Sequence, residues 1–429
     1  MTTAERALPA SQDQALLSPY RVLDLADEKG MLCGKIFGDM GADVVKVEPP
    51  GGDPSRHLPP FYEDVADPER SLVWWALNTN KRSVTVNLES QDGRAIFRRL
   101  VQTADFLVES FRPGHLAGLG LGYPELHALN PSLVFVSITP YGQTGPHGQW
   151  EATDLNIQGM GTHMYLTGDV DRSPVRISLP TAYWHGGAEG AAAAMIAHHY
   201  RRRTGRGQHV DVSMQQCILW TLLNTTMTWQ LAGREEIRGG ATRKERGNPF
   251  YTRMVWACQD GFVLFIPIGG GGGKGRQKSY LTLVEWMREE GIEDPLLSAR
   301  DWNGLDMFSI TQEEYDTISA YIERYFQTKT VAELYQRAVQ EKVLIAPIAT
   351  MKDLLESPQL RARRYFVDVY HPELQRSLEY AGPFAKFSRT PLGPWRRAPR
   401  IGEHTPEILG GELRYSAAQL STLRARNAI

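Results

Sequence analysis

Four stretches of the chain carry residue types able to do chemistry. In SLPTAYWHGGAEGAAAAMIAHHYRRRTGRGQ, Ser178 to Gln208, His185 and Glu189 stand four residues apart at the mouth of an alanine-rich segment. If that segment is helical, the spacing puts imidazole and carboxylate on one face. The pair could handle a proton, or it could be a structural contact worth roughly a few tenths of a kcal/mol. The run Gly269, Gly270, Gly271, Gly272 and Gly273 inside GGGGGKG can adopt positive φ at no steric cost. Its successive N–H groups suit an anion-binding concavity or a lid, with a flexible hairpin exit as the plainer alternative. Lys81 and Arg82, in NTNKRS before a strand, offer two cations for a phosphate or a solvated surface pair. Phe111 and Arg112, in VESFRPGHLAGLGLG, fall just past a predicted strand's carboxyl end, where open α/β sheets bind ligands.

The elements that must position these groups alternate. RVLDLA, GMLCGKIFGDMGA and DVVKVE read as strand, small-residue helix and strand from Tyr20, a βαβ unit. A second unit runs from SVTVNL through GRAIFRRLVQTA to DFLVES, and the strand LVFVSI follows at Leu133 to Ile138. Such alternation predicts a parallel, doubly wound α/β sheet. Gly30, Gly34 and Gly38 recur at a spacing of four on one helical face and do not match G-x-G-x-x-G, so close helix packing is the reading favoured over phosphate binding. A long helix near Ala188 to Arg203 should end at Gly205, and HVDVSM should be a buried strand leading into another helix.

Past about Gly239 the pattern becomes α+β in style, with a hairpin expected to turn at Asp260-Gly261 in MVWACQDGFVLFIPI. The expected boundaries are a large domain over 17–225, a linker over 226–244, and a small domain over 245–340. Residues 341–429 return to the large domain, and the proline- and arginine-rich TPLGPWRRAPRIGEHTPEIL should run over its surface.

Composition narrows the function classes. A chain of 429 residues exceeds what one core usually supports. A formal charge of -2 and a pI near 6.6 describe no polyanion binder, so nucleic acid is not an expected partner. Cys33, Cys217 and Cys258 make neither a disulfide framework nor a metal-ligand spacing, and no metal site is expected. There is no secretory signal pattern and no apolar run of the roughly 18 residues that span a bilayer. The expectation is a soluble, cytoplasmic protein without membrane partners.

Together, GKIFGDMGADVVKVEPPGGDPSR, NTNKRSVTVNL, ADFLVESFRPG, LVFVSITPYGQTGP, TGRGQHVDVSM and GEHTPEIL resemble the class III (CaiB/BaiF) CoA-transferase family, in that family's order, from about Leu17 to Leu409. The resemblance implies a Rossmann-like large domain built from both chain ends, a small domain between them, and two interlocked subunits. It implies CoA thioesters as substrates, with no permanently bound cofactor. An aspartate attacks the acyl-CoA thioester to give a mixed anhydride and then an aspartyl-CoA thioester, so the enzyme keeps an activated bond while the acids exchange. A glycine-rich loop excludes water meanwhile, and Gly269 to Gly273 would be that loop. The implied CoA contacts are Asn80, Lys81, Ser110, Phe111, Arg112, Thr139, Tyr141 and Gly142. Pro49 and Gly118 stand where some members have CoA-contacting arginines.

The nucleophile is the larger departure. Counting back from Thr204 by the family's interval reaches Tyr183, flanked by Ala182 and Trp184, and no Asp or Glu occurs from Arg172 to Ala188. The His-Asp pair of related racemases would need His near Thr153 and Asp near Ala182, and neither is present. Glu189 lies six residues on, roughly 9 Å along a helix. Asp154 in EATDLNIQGM is adequately explained as an N-cap.

The first reading is therefore an acid-less subunit of a heterodimeric or heterotetrameric transferase whose paralogous partner bears the aspartate. DEKGMLCGKIFGD and MYLTGDVDRSPVRISLPTAYWHGGAE look closest to a branch that moves CoA between succinyl-CoA and an aryl-substituted dicarboxylic acid such as (R)-2-benzylsuccinate, in anaerobic toluene degradation. Tyr165, Tyr183 and Trp184 would suit an aryl group. The alternatives are a self-sufficient transferase using Asp154 or Glu189, and a CoA-binding protein without transferase activity.

Overall fold

The computed structural model describes residues 15–244, 251–267, 273–292 and 311–429. They cluster into two compact units, one comprising residues up to 163 with 176–232 and 359–429, the other 164–175 with 233–358.

The first unit is built on a six-stranded, all-parallel sheet of β1 (Arg21–Asp24), β2 (Asp43–Glu48), β3 (Lys81–Thr85), β4 (Phe106–Glu109), β5 (Val134–Thr139) and β6 (His209–Ser213), in the order β3-β2-β1-β4-β5-β6. Every residue of β4 and β5 is buried, as a parallel sheet covered on both faces requires. α1 (Met31–Asp39) and α7 (Thr181–Thr204) pack on Val22, Phe106, Val136 and Ile138. α3 (Gln91–Val101), α5 (Tyr123–Leu129) and the C-terminal helix Ala417–Ala425 cover Leu23, Leu107 and Phe135 on the other face. α7 starts seven residues before the expected Ala188 and ends, as predicted, at Gly205 with φ 73°.

A cluster of charged side chains lies buried against α1. Lys81 Nζ bonds Asp24 at 2.7 Å, the Asn78 side chain at 2.9 Å and the Met31 carbonyl at 3.0 Å. Lys46 Nζ meets Asp53 at 3.0 Å and also donates to the Ala26 carbonyl. Glu48 takes Arg56 Nε at 2.6 Å and Nη2 at 2.8 Å, while the guanidinium stacks 3.8 Å from the Trp74 ring. Three cations (Lys46, Lys81, Arg56) thus balance three carboxylates (Asp24, Glu48, Asp53), all buried. Burial alone would pull the Lys46 ammonium down, but Asp53, Asp24 and Glu48 outweigh it and hold it above its ordinary pKa. Gly34 gives this cluster room, since a Cβ there would lie 2.1 Å from Asp24 Oδ2. The Gly30, Gly34, Gly38 face packs closely on Ala26 and Ile138, on Asp24 and on the Thr79–Asn80 backbone, as the close-packing reading predicts.

The aperiodic C-terminal segment is ordered because it completes the β3 edge. Asn80 exchanges two hydrogen bonds with the Arg396 backbone, Arg56 and Trp74 donate to the Pro399 carbonyl, and Gly402 N–H donates to Ser83 Oγ. His404 N–H donates to the Ser83 carbonyl, and Thr85 N–H to Thr405 Oγ1. An edge strand's free polar groups are thereby satisfied without another strand.

The second unit contains an antiparallel sheet of β9 (Val255–Ala257), β10 (Phe262–Phe265) and β11 (Ile345–Pro347), and a separate pair of β7 (Thr242–Lys244) and β8 (Tyr251–Arg253). Helices α10 (Gly273–Glu289), Gln312–Phe326 and Val331–Glu341 accompany them. Trp256, Phe265, Trp286, Tyr315 and Phe326 form the core. The β9–β10 hairpin exists, but Cys258 N–H donates to the Gly261 carbonyl at 2.8 Å, so its tip is Gln259-Asp260 and not Asp260-Gly261. Asp260 Oδ1 there accepts the Val331 N–H at 2.8 Å, capping the following helix. The expected boundaries at 225, 244 and 340 shift, because β11 pairs with β10 and α9 (Leu223–Ala232) stays with the large unit.

Gly34→Ala should destabilise the protein by about 3 kcal/mol, through overpacking and displacement of a buried carboxylate from its lysine. Gly118→Ala, where an added Cβ meets nothing within 4 Å, should leave stability unchanged. Urea unfolding of both variants checks the contrast.

Candidate functional site

The strand order reverses between β1 and β4, and the crevice beyond the carboxyl ends at such a switch is where open α/β sheets take ligands. Ser110 stitches the two sides of this crevice, donating from Oγ to Asp27 Oδ1 at 2.6 Å and accepting the Asp27 N–H at 2.9 Å. Residues 112–115, 118 and 119 after β4 line an open cavity of about 620 Å³, together with Glu89 and Gln149. Phe111 packs on the His115 ring at 4.7 Å. The Arg112 side chain is exposed and makes no ion pair among the described residues. One available guanidinium at the rim of an open cavity suits an anionic group, and Gly118 leaves open the volume an arginine would fill.

Thr139, Tyr141 and Gly142 come to the same edge from β5. Thr139 Oγ1 is buried and has no hydrogen-bond partner among the described residues. Gly142 takes φ 89°, which lets the next residue, Gln143, turn its N–H onto both Asp211 oxygens at 3.0 Å. Tyr141 donates to Met160 Sδ at 3.0 Å and meets His147 and Trp150 edge-on. Burial raises its phenol pKa.

Two expected ligand contacts are placed elsewhere. The Lys81 ammonium spends all three donors inside the buried charge cluster, and burial lowers its pKa despite Asp24 beside it. The Asn80 side chain is divided between Asp39 at 2.8 Å and the Arg396 N–H at 2.8 Å. Neither side chain is free to hold a ligand, because long-range partners that sequence spacing cannot reveal have taken them. Arg82 is likewise paired with Asp43, Glu407 and Glu412. Of the glycine run, Gly269 to Gly272 lie outside the described residues and Gly273 opens α10.

At the start of α7, Tyr183 and Asp154 hold one another. The Tyr183 hydroxyl accepts the Asp154 N–H at 3.0 Å, and the Asp154 carboxylate accepts the Ala182 N–H at 2.9 Å together with the Gln158 amide. Asp154 therefore does cap a helix, but the helix is α7, whereas its own α6 (Asp154–Met160) is capped by Thr153 and Asn156. Burial raises the Asp154 pKa and pushes the Tyr183 phenol up to about 12. The Tyr183 oxygen and the Asp154 carboxylate are thus both engaged in local structure. His185 Nδ1 lies 3.2 Å from Glu189 Oε1 one turn along, both half-exposed, with the His163 ring 6.5 Å from His185. This is the same-face helical pair the spacing predicts.

Sequence reasoning missed Glu109 and Asp211, whose only signal was a polar residue in or at the end of a strand, and His163, which follows the end of α6 with no signal at all. Among the described residues no group of three or more His, Cys, Asp or Glu is placed to hold a metal ion. No described helix is long and apolar enough to cross a membrane.

Residues 17–405 match the family described as CoA-transferase family III. The chain is 36% identical, over 96% of its length and 98% of the relative's, to succinyl-CoA:(R)-benzylsuccinate CoA-transferase subunit BbsE of Thauera aromatica. It is 31% identical, over 96% of its length and 98% of the relative's, to the succinyl-CoA–D-citramalate CoA-transferase of Chloroflexus aurantiacus. Its fold is similar to a crystal structure of a CaiB/BaiF family protein from Brucella suis, with a TM-score of 0.78 and 30% identity, covering 93% of this chain and 99% of that one.

Tyr183→Phe should lower stability by about 1–3 kcal/mol, because it orphans the buried Asp154 N–H at a helix start. Thermal or urea unfolding compared with Trp184→Phe, which removes no such acceptor, measures it.

Proposed function

Since this chain belongs to CoA-transferase family III, we propose that it is the supporting subunit of a heteromeric class III CoA-transferase, with a paralogous partner supplying the nucleophilic aspartate. In this reading the complex moves CoA between succinyl-CoA and an aryl-substituted dicarboxylic acid such as (R)-2-benzylsuccinate. The observation that carries it is Tyr183. A phenol that accepts the Asp154 N–H stands at the position where the family's interval puts a carboxylate, and a phenol at pKa about 12 is neutral at physiological pH. A neutral phenol is a poor nucleophile toward a thioester.

The substitutes fare no better. Making Asp154 a nucleophile would cost α7 its cap, and Glu189 already faces His185 further along the helix. The remaining chemistry belongs to the crevice. Arg112 is available for a phosphate and Phe111 for the apolar parts of CoA. CoA enters as the thioester of the donor acid; the partner's carboxylate takes the acyl group and releases CoA thiolate, the thiolate displaces the donor acid to leave an aspartyl-CoA thioester, and the acceptor acid leaves with the CoA. Both relatives named above carry succinyl-CoA in their names, and the Thauera protein is named as a subunit.

α9 supports a partner. None of its residues is buried, and Leu223, Trp229 and Leu231 on it, with Trp220 just before, are 60, 63, 79 and 69% exposed. An apolar surface of this kind on one helix marks an interaction site.

The purified chain, given succinyl-CoA and benzylsuccinate, should show no CoA transfer, and turnover by the chain alone would refute the supporting role. Co-expressed with an aspartate-bearing paralogue it should form a stable active complex. Glu189→Gln and Asp154→Asn in this chain should then change kcat by less than about twofold, where loss of a nucleophile would cost orders of magnitude.

A further inference from the structure

One polar ladder lies beneath the crevice on the sheet face that otherwise carries Leu107 and Phe135. Register places Glu109 of β4 opposite Ser137 of β5, and Ser137 opposite Asp211 of β6, so the three side chains stand side by side on one face. Glu109 is 5% exposed. It accepts the Phe111 N–H at 2.7 Å, and the Ser137 hydroxyl beside it in register favours its charged form. Ser137 Oγ meets His209 Nε2 at 2.9 Å, and the His209 ring stacks on Tyr123 of α5. Asp211 accepts the Gln143 N–H with both oxygens. The two carboxylates thus fix one backbone amide in each of the two loops that carry Phe111 and Arg112, and Tyr141 and Gly142.

A carboxylate in this place has an unfavourable environment. Burial pushes Glu109 up to about 7; Ser137 and the Phe111 amide offset part of that, while the charges of Asp27 and Asp211 add to it. Burial also lowers the His209 pKa, against Asp211. The groups facing Glu109 are therefore Asp27 from the β1 loop, Asp211 and His209 from β6, Ser137 from β5 and, behind His209, Tyr123 from α5.

We propose that Glu109 is a positioning residue: its carboxylate, braced by Ser137 and His209, fixes the Phe111 amide and with it the Arg112 wall of the crevice, so that ligand binding there depends on the proton Glu109 holds. When ionised, Glu109 accepts the Phe111 N–H and its charge is favoured by the Ser137 hydroxyl beside it, which is itself held by His209. When neutral, one oxygen becomes a donor and competes with Ser137 for orientation, which loosens the Phe111 contact. The sign for the fold is opposite. A carboxyl whose folded pKa lies above its unfolded value stabilises the protein below the unfolded pKa, and that contribution is lost as pH rises through about 7. An ionised Glu109 therefore serves ligand binding at the fold's expense, a pattern typical of functional sites.

The inference rests on the reading that this crevice binds CoA, and the test separates the two. Calorimetric titration of the co-purified complex with CoA from pH 5.5 to 8.5, on wild type and Glu109→Gln, gives a ratio of dissociation constants in which titration of CoA itself cancels. The ratio should be near one at low pH and rise about fivefold or more above pH 7. A ratio constant across the range overturns the proposal.

Hydrogen exchange of residues 106–119 in the unliganded protein, normalised for intrinsic rates, supplies a readout that needs no ligand. Wild type should be better protected at pH 8 than at pH 6, and Glu109→Gln equally protected at both. A pH-independent wild type overturns the proposal even if CoA binds; a pH-dependent loop without CoA binding upholds Glu109's role while refuting the crevice as a CoA site. Should Glu109→Gln fail to fold, Ser137→Ala removes a donor to the carboxylate and should move the exchange midpoint to higher pH; an unmoved midpoint counts against the ladder.

Discussion

A buried, internally neutral group of charges governs this molecule. Lys46, Lys81 and Arg56 face Asp24, Glu48 and Asp53 out of contact with water. Each of these charges would be prohibitively costly to bury alone. They are tolerated because every cation has a carboxylate in hydrogen-bonding reach and the remaining lone pairs meet backbone amides, such as Asp53 N–H on Glu48 and Ala26 N–H on Asp24. This requirement fixes the approach of α1, because Gly34 must lie against Asp24. It also fixes the C-terminal segment, because Arg56 and Trp74 both need the Pro399 carbonyl. A cluster of this kind adds little net stability beyond an apolar equivalent, but it penalises any arrangement that leaves one member unpaired. The pairing of the first ninety residues with the last forty follows from it.

The same logic separates the residues that hold the fold from those left for a ligand. Asn80, Lys81 and Arg82 carry the chemistry of a phosphate site and are used up internally. Arg112, past the carboxyl end of β4, has an exposed guanidinium with no carboxylate partner among the described residues. Available charge at the carboxyl edge of the sheet, over a buried Glu109 and an exposed Asp211 that fix the loop amides, is what a site for an anionic substrate requires. At α7 the reverse holds. Tyr183, Asp154 and Ala182 are tied to one another by hydrogen bonds at the helix start, so these polar groups serve local structure.

Much of this was legible from residues alone, and the limits have a common cause. The strands VVKVE and LVFVSI, the Gly205 helix stop and the βαβ alternation are local patterns with one physical reading each, and all are present. The hairpin is legible, but the Asp-Gly pair places its tip one residue late, since Gly261 pairs back with Cys258 and the Asp260 side chain holds the Val331 N–H. The small unit was expected to stop at 340 because nothing in Ile345–Pro347 shows that its partner is β10. Lys81 looked exposed because its loop-to-strand position says nothing about Asp24, 57 residues earlier.

By itself, then, the sequence determined the order and kind of the elements, the family that order belongs to, and the lack of any carboxylate between Arg172 and Ala188, since these are local or compositional properties. Only the tertiary structure decided which charges are spent and which remain available, and that Glu109, Ser137 and Asp211 stand in one row. Those facts depend on pairings between residues dozens to hundreds of positions apart, and sheet register and burial set them where no short-range pattern can.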